Sequence, residues 1–61
     1  MATGEIIKQK REAKGLTQQQ LADAVCVKRE MITQIERGTR VPSLPLAKQI
    51  AAVLECSVAD F

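Results

Sequence analysis

The sequence predicts an all-α domain, a compact bundle of four to five short helices with a central helix-turn-helix. The stretch Leu16 to Gly38 holds a helix start, a break of about three residues and a second helix closed by glycine. Apolar residues recur at helical spacing outside it, in Ile6 and Ile7 and in Ala47, Ile50, Ala51 and Leu54. Phe61 is the only aromatic residue in the 61-residue chain, so the core must be built from Leu, Ile, Val, Ala and Met. Such a core suits closely packed short helices.

The first helix is predicted over about residues 4–14. Met1 to Thr3 form a loose lead-in, with Thr3 available as a cap and Glu5 suited to the positive end of the helix dipole. Ile6, Ile7 and Ala13 supply its apolar contacts, and Gly15 stops it. The second helix, 18–25, has a complete start signal. Thr17 and Gln20 have the spacing of a capping box, Leu16 and Leu21 that of a hydrophobic staple. Leu21, Ala22 and Val25 form its inner face.

The third helix is predicted over 29–37. At about 100° per residue, Ile32 and Ile35 define its buried side and Glu36 falls close to it. Glu30, Thr33, Gln34 and Arg37 lie opposite. Two short helices joined by so short a turn form the unit whose second helix reads the DNA major groove. An outer face of hydrogen-bonding groups and a cation suits base edges and phosphates; it also suits water. A carboxylate on the buried side needs a partner. Lys28 stands where Ser, Thr or Asp is the usual cap.

Thr39-Arg40-Val41-Pro42 follows as a loop whose Arg40 can meet a DNA backbone. Ser43 caps a fourth helix, 44–55, that tolerates Pro45 in its first turn. Ser57 caps a last turn of helix, 58–61, whose Val58 and Phe61 cover the core.

These elements make a single domain, 1–61, too small to hold an active-site cavity beside its core. Nine Lys and Arg against seven Asp and Glu leave a net charge of +2, a mildly basic balance that a solvated surface also explains. The chain has no His, and Cys26 and Cys56 lack the spacing of metal ligands, which argues against a metal site or cofactor. Neither cysteine has an evident base and no carboxylate pair marks a cleft, so an enzyme is not expected. No signal peptide or spanning hydrophobic run appears, and no small-molecule site is evident. The expected compartment is the cytoplasm, where both cysteines are thiols by default and a Cys26–Cys56 disulfide is the less favoured alternative.

Arg11, Leu16-Thr17-Gln18, Leu21-Ala22, Val25, Val27, Ile32, Ile35-Glu36-Arg37-Gly38, Pro42-Ser43-Leu44 and Ile50-Ala51 through Leu54 together resemble the phage-repressor and Cro-type helix-turn-helix family. The resemblance runs from about Gly4 to Phe61 and implies a lambda-repressor-like fold. It also implies that Arg11 is the partner of Glu36, as an orienting ion pair; the alternative is two independent surface charges. The start of the second helix then meets a phosphate at Gln18, which is also placed to brace Arg29. Lys28, Arg29, Glu30, Thr33 and Gln34 present to the major groove, where Arg29 suits guanine, Gln34 adenine and Glu30 the cytosine amine. Glu30 can instead repel phosphates, or hold Arg37 or Lys28. Arg37 and Arg40 suit phosphates.

The chain departs from the family at four places, one of them Lys28 at the cap position of the third helix. Lys10 replaces a large hydrophobe, so its stem should lie along the core. Cys26 replaces a turn glycine, and must either accept left-handed strain or take another turn. Cys56 replaces an aliphatic residue and should pack as a small hydrophobe. Family members usually act as two-fold dimers, with the C-terminal segment and the loop after Gly38 as the implied contact. The expected function is a sequence-specific DNA-binding transcriptional regulator, a repressor, acting on a double-stranded operator as a homodimer. The alternative is a protein-interaction module such as an antitoxin or adaptor.

Overall fold

The structure is a computed structural model and describes residues 3–61, the side chain of Asp60 excepted. Among these residues, α1 (Thr3–Ala13), α2 (Gln18–Ala24), α3 (Arg29–Arg37) and α4 (Leu44–Val53) are followed by a 3₁₀ turn, Val58–Asp60. No strand occurs among the described residues. Thr3 already belongs to α1, so it does not cap it; the expectation for Met1 and Ala2 lies outside the described residues.

Helix α2 starts with the full capping box. The Gln20 N–H donates to Thr17 Oγ1 at 3.0 Å, and the Thr17 N–H donates to Gln20 Oε1 at 2.8 Å. Ser43 accepts from the Leu46 N–H at 3.3 Å and caps α4, with Pro45 in the first turn, where no helical N–H is needed. Lys28 starts α3 without a side-chain cap.

All four helices end with the same pair of backbone bonds around a residue in the left-handed region. At α1 the Leu16 N–H reaches the Arg11 carbonyl at 3.1 Å and the Gly15 N–H reaches that of Glu12 at 2.9 Å. At α3 the Thr39 N–H reaches the Gln34 carbonyl at 3.0 Å, with Gly38 as the left-handed residue. The equivalent residue after α2 is Cys26, at φ 59°, and after α4 it is Glu55, at φ 56°. Cys26 thus keeps the turn and accepts the strain. This closure ends α4 at Val53, short of the predicted residue 55: once Glu55 turns left-handed, the Cys56 N–H bonds back to the Ala51 carbonyl at 3.0 Å.

Helix α3 packs against both α1 and α2, and α4 closes the bundle against α2. Among the described residues, Ile7, Leu21, Ile32, Ile35 and Ile50 are the largest fully buried side chains, drawn from all four helices. Each contributes about 1.5–3 kcal/mol through burial alone. Cys56 and Phe61 pack against this cluster from the C-terminal side, and Lys10 is half-buried on α1. Ala13, expected to be a core contact, is exposed at the end of α1.

At Gly4 two helices approach each other closely. A Cβ there would overlap the Ile35 carbonyl oxygen and lie 2.8 Å from that of Glu36. Glycine lets the first turn of α1 rest directly on the backbone of α3.

Candidate nucleic-acid interface

The back of α3 is held by a buried ion pair. Arg11 Nε donates to Glu36 Oε2 at 2.7 Å and Nη2 to Oε1 at 3.2 Å, while Nη1 donates to the Leu16 carbonyl at 2.7 Å. The fork geometry suits a bidentate guanidinium–carboxylate pair. Both residues are buried. The hydrogen bond to Glu36 raises the Arg11 pKa above its ordinary value, outweighing the lowering by desolvation. The pair expected from the sequence is therefore present, and it ties α1 to the last turn of α3.

Gln18 extends this arrangement. Its Nε2 donates to Glu36 Oε1 at 3.0 Å, and its Oε1 accepts from Thr33 Oγ1 at 3.0 Å. This corrects the expectation that Gln18 braces Arg29. Glu36 is the only one of its neighbours that must accept, so the amide turns towards the carboxylate. Sequence reasoning had a signal for this, since one guanidinium does not fill the four lone-pair sites of a carboxylate.

The opposite side of α3 is open. Arg29, Glu30, Thr33, Gln34 and Arg37 line one shallow surface concavity. Thr33 is half-buried and the other four are exposed. Among the described residues, the side chains of Arg29, Glu30, Gln34 and Arg37 have no hydrogen-bond or ion-pair partner, so Glu30 holds neither Arg37 nor Lys28. Lys28 is exposed at the N-terminal end of α3, outside the residues lining the concavity. Arg40 is exposed in the following loop, beside Gly38, Val41 and Pro42. Of the residues predicted to face DNA, five are thus gathered on one face. Gln18 borders it through Thr33, and Lys28 and Arg40 lie in the segments before and after α3.

Both cysteines are free, Cys26 exposed and Cys56 partly buried. Among the described residues no three His, Cys, Asp or Glu side chains are grouped as metal ligands, and no helix is long and apolar enough to cross a membrane.

Comparison with known proteins agrees with this architecture. A transcriptional regulator of helix-turn-helix type from Methanothermobacter thermautotrophicus is 45% identical over 49 residues, covering 80% of this chain and 71% of the relative. The restriction-modification controller protein C.AhdI from Aeromonas hydrophila superposes with a TM-score of 0.88 at 32% identity, over 93% of this chain and 86% of that one. SinR, a master regulator for biofilm formation solved in complex with DNA, superposes with a TM-score of 0.86 at 35% identity, over 92% of this chain and 90% of its own. Residues 7–61 match the helix-turn-helix family profile. With its helix pair, buried Arg11–Glu36 tie and open α3 face, the chain belongs to the Cro/C1-type helix-turn-helix family.

Proposed function

We propose that this chain is a sequence-specific DNA-binding transcriptional regulator, acting as a repressor, that lays α3 in the major groove of an operator. The observation that carries the reading is the asymmetry of α3: its back is partnered and buried, while among the described residues Arg29, Glu30, Gln34 and Arg37 on its front have no side-chain partner. Arg29 can pair with guanine O6 and N7, Gln34 with adenine, and Glu30 with the cytosine amine. Lys28 adds a cation at the start of the helix. Arg37 and Arg40 neutralise phosphates, which sets register without reading sequence. Gln18 uses one amide hydrogen on Glu36 and has a second for a phosphate. The DNA complex of SinR supports this orientation by analogy.

One such domain covers little DNA, and firm operator binding calls for two on half-sites about one helical turn apart. We assign the homodimer contact to the loop after Gly38 and the start of α4, where Val41 is 87% and Leu44 60% exposed. The C-terminal segment contributes less, because Phe61 packs inward. The chain acts by binding alone, in the cytoplasm.

The test is fluorescence anisotropy against random duplex DNA at about 50 and 200 mM salt, followed by selection of tight binders. Four cations per dimer on phosphates correspond to roughly a hundredfold loss of affinity over that range. A selected palindrome supports the dimeric regulator. Absence of binding at the lower salt overturns the reading in favour of a protein-interaction module of the antitoxin or adaptor kind.

A further inference from the structure

The hydrogen bonds behind α3 have a direction, and it reaches the reading face. Arg11 is always a donor, and Glu36, gripped by it through both oxygens, accepts. The Gln18 amide must therefore turn its NH₂ group to Glu36, at 3.0 Å, which leaves its oxygen facing Thr33. An amide oxygen only accepts, so the Thr33 hydroxyl must donate. The second acceptor within its reach, the Arg29 carbonyl at 3.2 Å, is also internal. A hydroxyl has one proton, and both acceptors for it lie inside the protein.

From this polarity we infer that Thr33 is a specificity-determining residue of fixed sign: it presents only lone pairs to DNA and selects an exocyclic amine, adenine N6 or cytosine N4. It discriminates against guanine N7 and O6 and thymine O4 at the same place, since these groups need a donor. Gln18 is the positioning residue that transmits the sign from the buried ion pair. The inference rests on α3 being the base-reading helix.

The experiment uses the full chain and duplexes selected by it. In one series each major-groove amine is removed singly, with purine replacing adenine and 2-pyrimidinone replacing cytosine. In a second, each purine N7 is removed with a 7-deaza base. Thr33→Val keeps the shape and loses the hydroxyl, Thr33→Ala is a second hydroxyl-free variant, and Thr33→Ser restores the group. At one position, loss of the amine should weaken wild type and Thr33→Ser by about three- to tenfold and leave Thr33→Val and Thr33→Ala unchanged. Coupling of the hydroxyl to an N7 overturns the inference, as does coupling to no position while Arg29→Ala still changes preference at one base pair. If neither Thr33 nor Arg29 variants alter any position, the assignment of α3 as the reading helix falls, and this inference with it.

Discussion

Gly4 rests on the backbone of Glu36, with room for a hydrogen and none for a methyl: a Cβ would stand 2.8 Å from the Glu36 carbonyl oxygen. The contact lies close to the residue that Arg11 grips through its side chain. The first helix therefore registers on α3 through backbone as well as charge. Gly4→Ala should force the two helices apart and destabilise the domain by about 1–3 kcal/mol, despite a gain in helix propensity. Urea unfolding followed by circular dichroism measures this; a variant as stable as the parent would refute the close approach.

Arg11→Met leaves a buried carboxylate facing Gln18 alone. The expected cost is about 3–5 kcal/mol, enough to unfold much of a domain this small. The double variant Arg11→Met/Glu36→Leu removes both charges and should recover most of the loss, because apolar replacements of a buried pair are often neutral. The double-mutant cycle in urea checks it. Recovery of stability without recovery of DNA affinity would identify orientation of α3 as the purpose of the pair.

Cys26 is a non-glycine residue in the left-handed region, at the end of α2. Cys26→Gly should relieve strain and stabilise the domain by about 1 kcal/mol, raising the thermal midpoint. Glu55→Gly relieves the same strain after α4 but removes the ion-pair partner of Lys14, so its gain should be smaller. Equal gains would mean that the surface pair contributes nothing.

Lys14 hydrogen-bonds the Glu55 carboxylate and thereby lowers its pKa from the ordinary value. A lowered folded-state pKa makes the contribution to stability fully present above the unfolded value, roughly pH 4.3, and lost as pH falls through the folded one. Lys14→Met should therefore be less stable than wild type at neutral pH and should converge with it in acid. Parallel stability curves down to low pH would exclude the pair as the source.

Arg29 and Arg37 lie on one face, and the proposed function gives them different tasks. Arg29→Ala should cost about 1–3 kcal/mol at one base pair and relax preference there. Arg37→Ala should weaken all sequences alike and reduce the salt slope by about one per protomer. A panel of operator variants titrated at several salt concentrations separates these outcomes.

Much of this could be read from residue order because the signals are local. Thr17 and Gln20 close their box within one turn, and α3 keeps its predicted bounds because Gly38 can adopt what most residues resist. A carboxylate beside Ile32 and Ile35 demands a partner, and the family resemblance implies that Arg11 is that partner. The role of Gly4 was not readable, since the need for a missing Cβ arises only once α1 crosses α3. Gln18 was assigned to the wrong partner for a related reason. A glutamine can swing towards either Arg29 or Glu36, and the choice depends on a charge 18 positions away along the chain. Glu55 escaped notice because nothing in its identity announces a left-handed turn.

The one-sided partnering of α3 also separates two kinds of heritable change. Among the described residues, positions 29, 30, 34 and 37 carry no internal side-chain bond, so on the proposed reading substitutions there should alter what the surface reads while leaving the fold nearly untouched. Such a helix can be recoded one letter at a time, and a library randomised at these four positions should return mostly folded proteins with new operators. Position 33 is different. Its hydroxyl is bonded to Gln18, so on the proposed reading a new letter there must be compatible with Gln18 as well as with DNA.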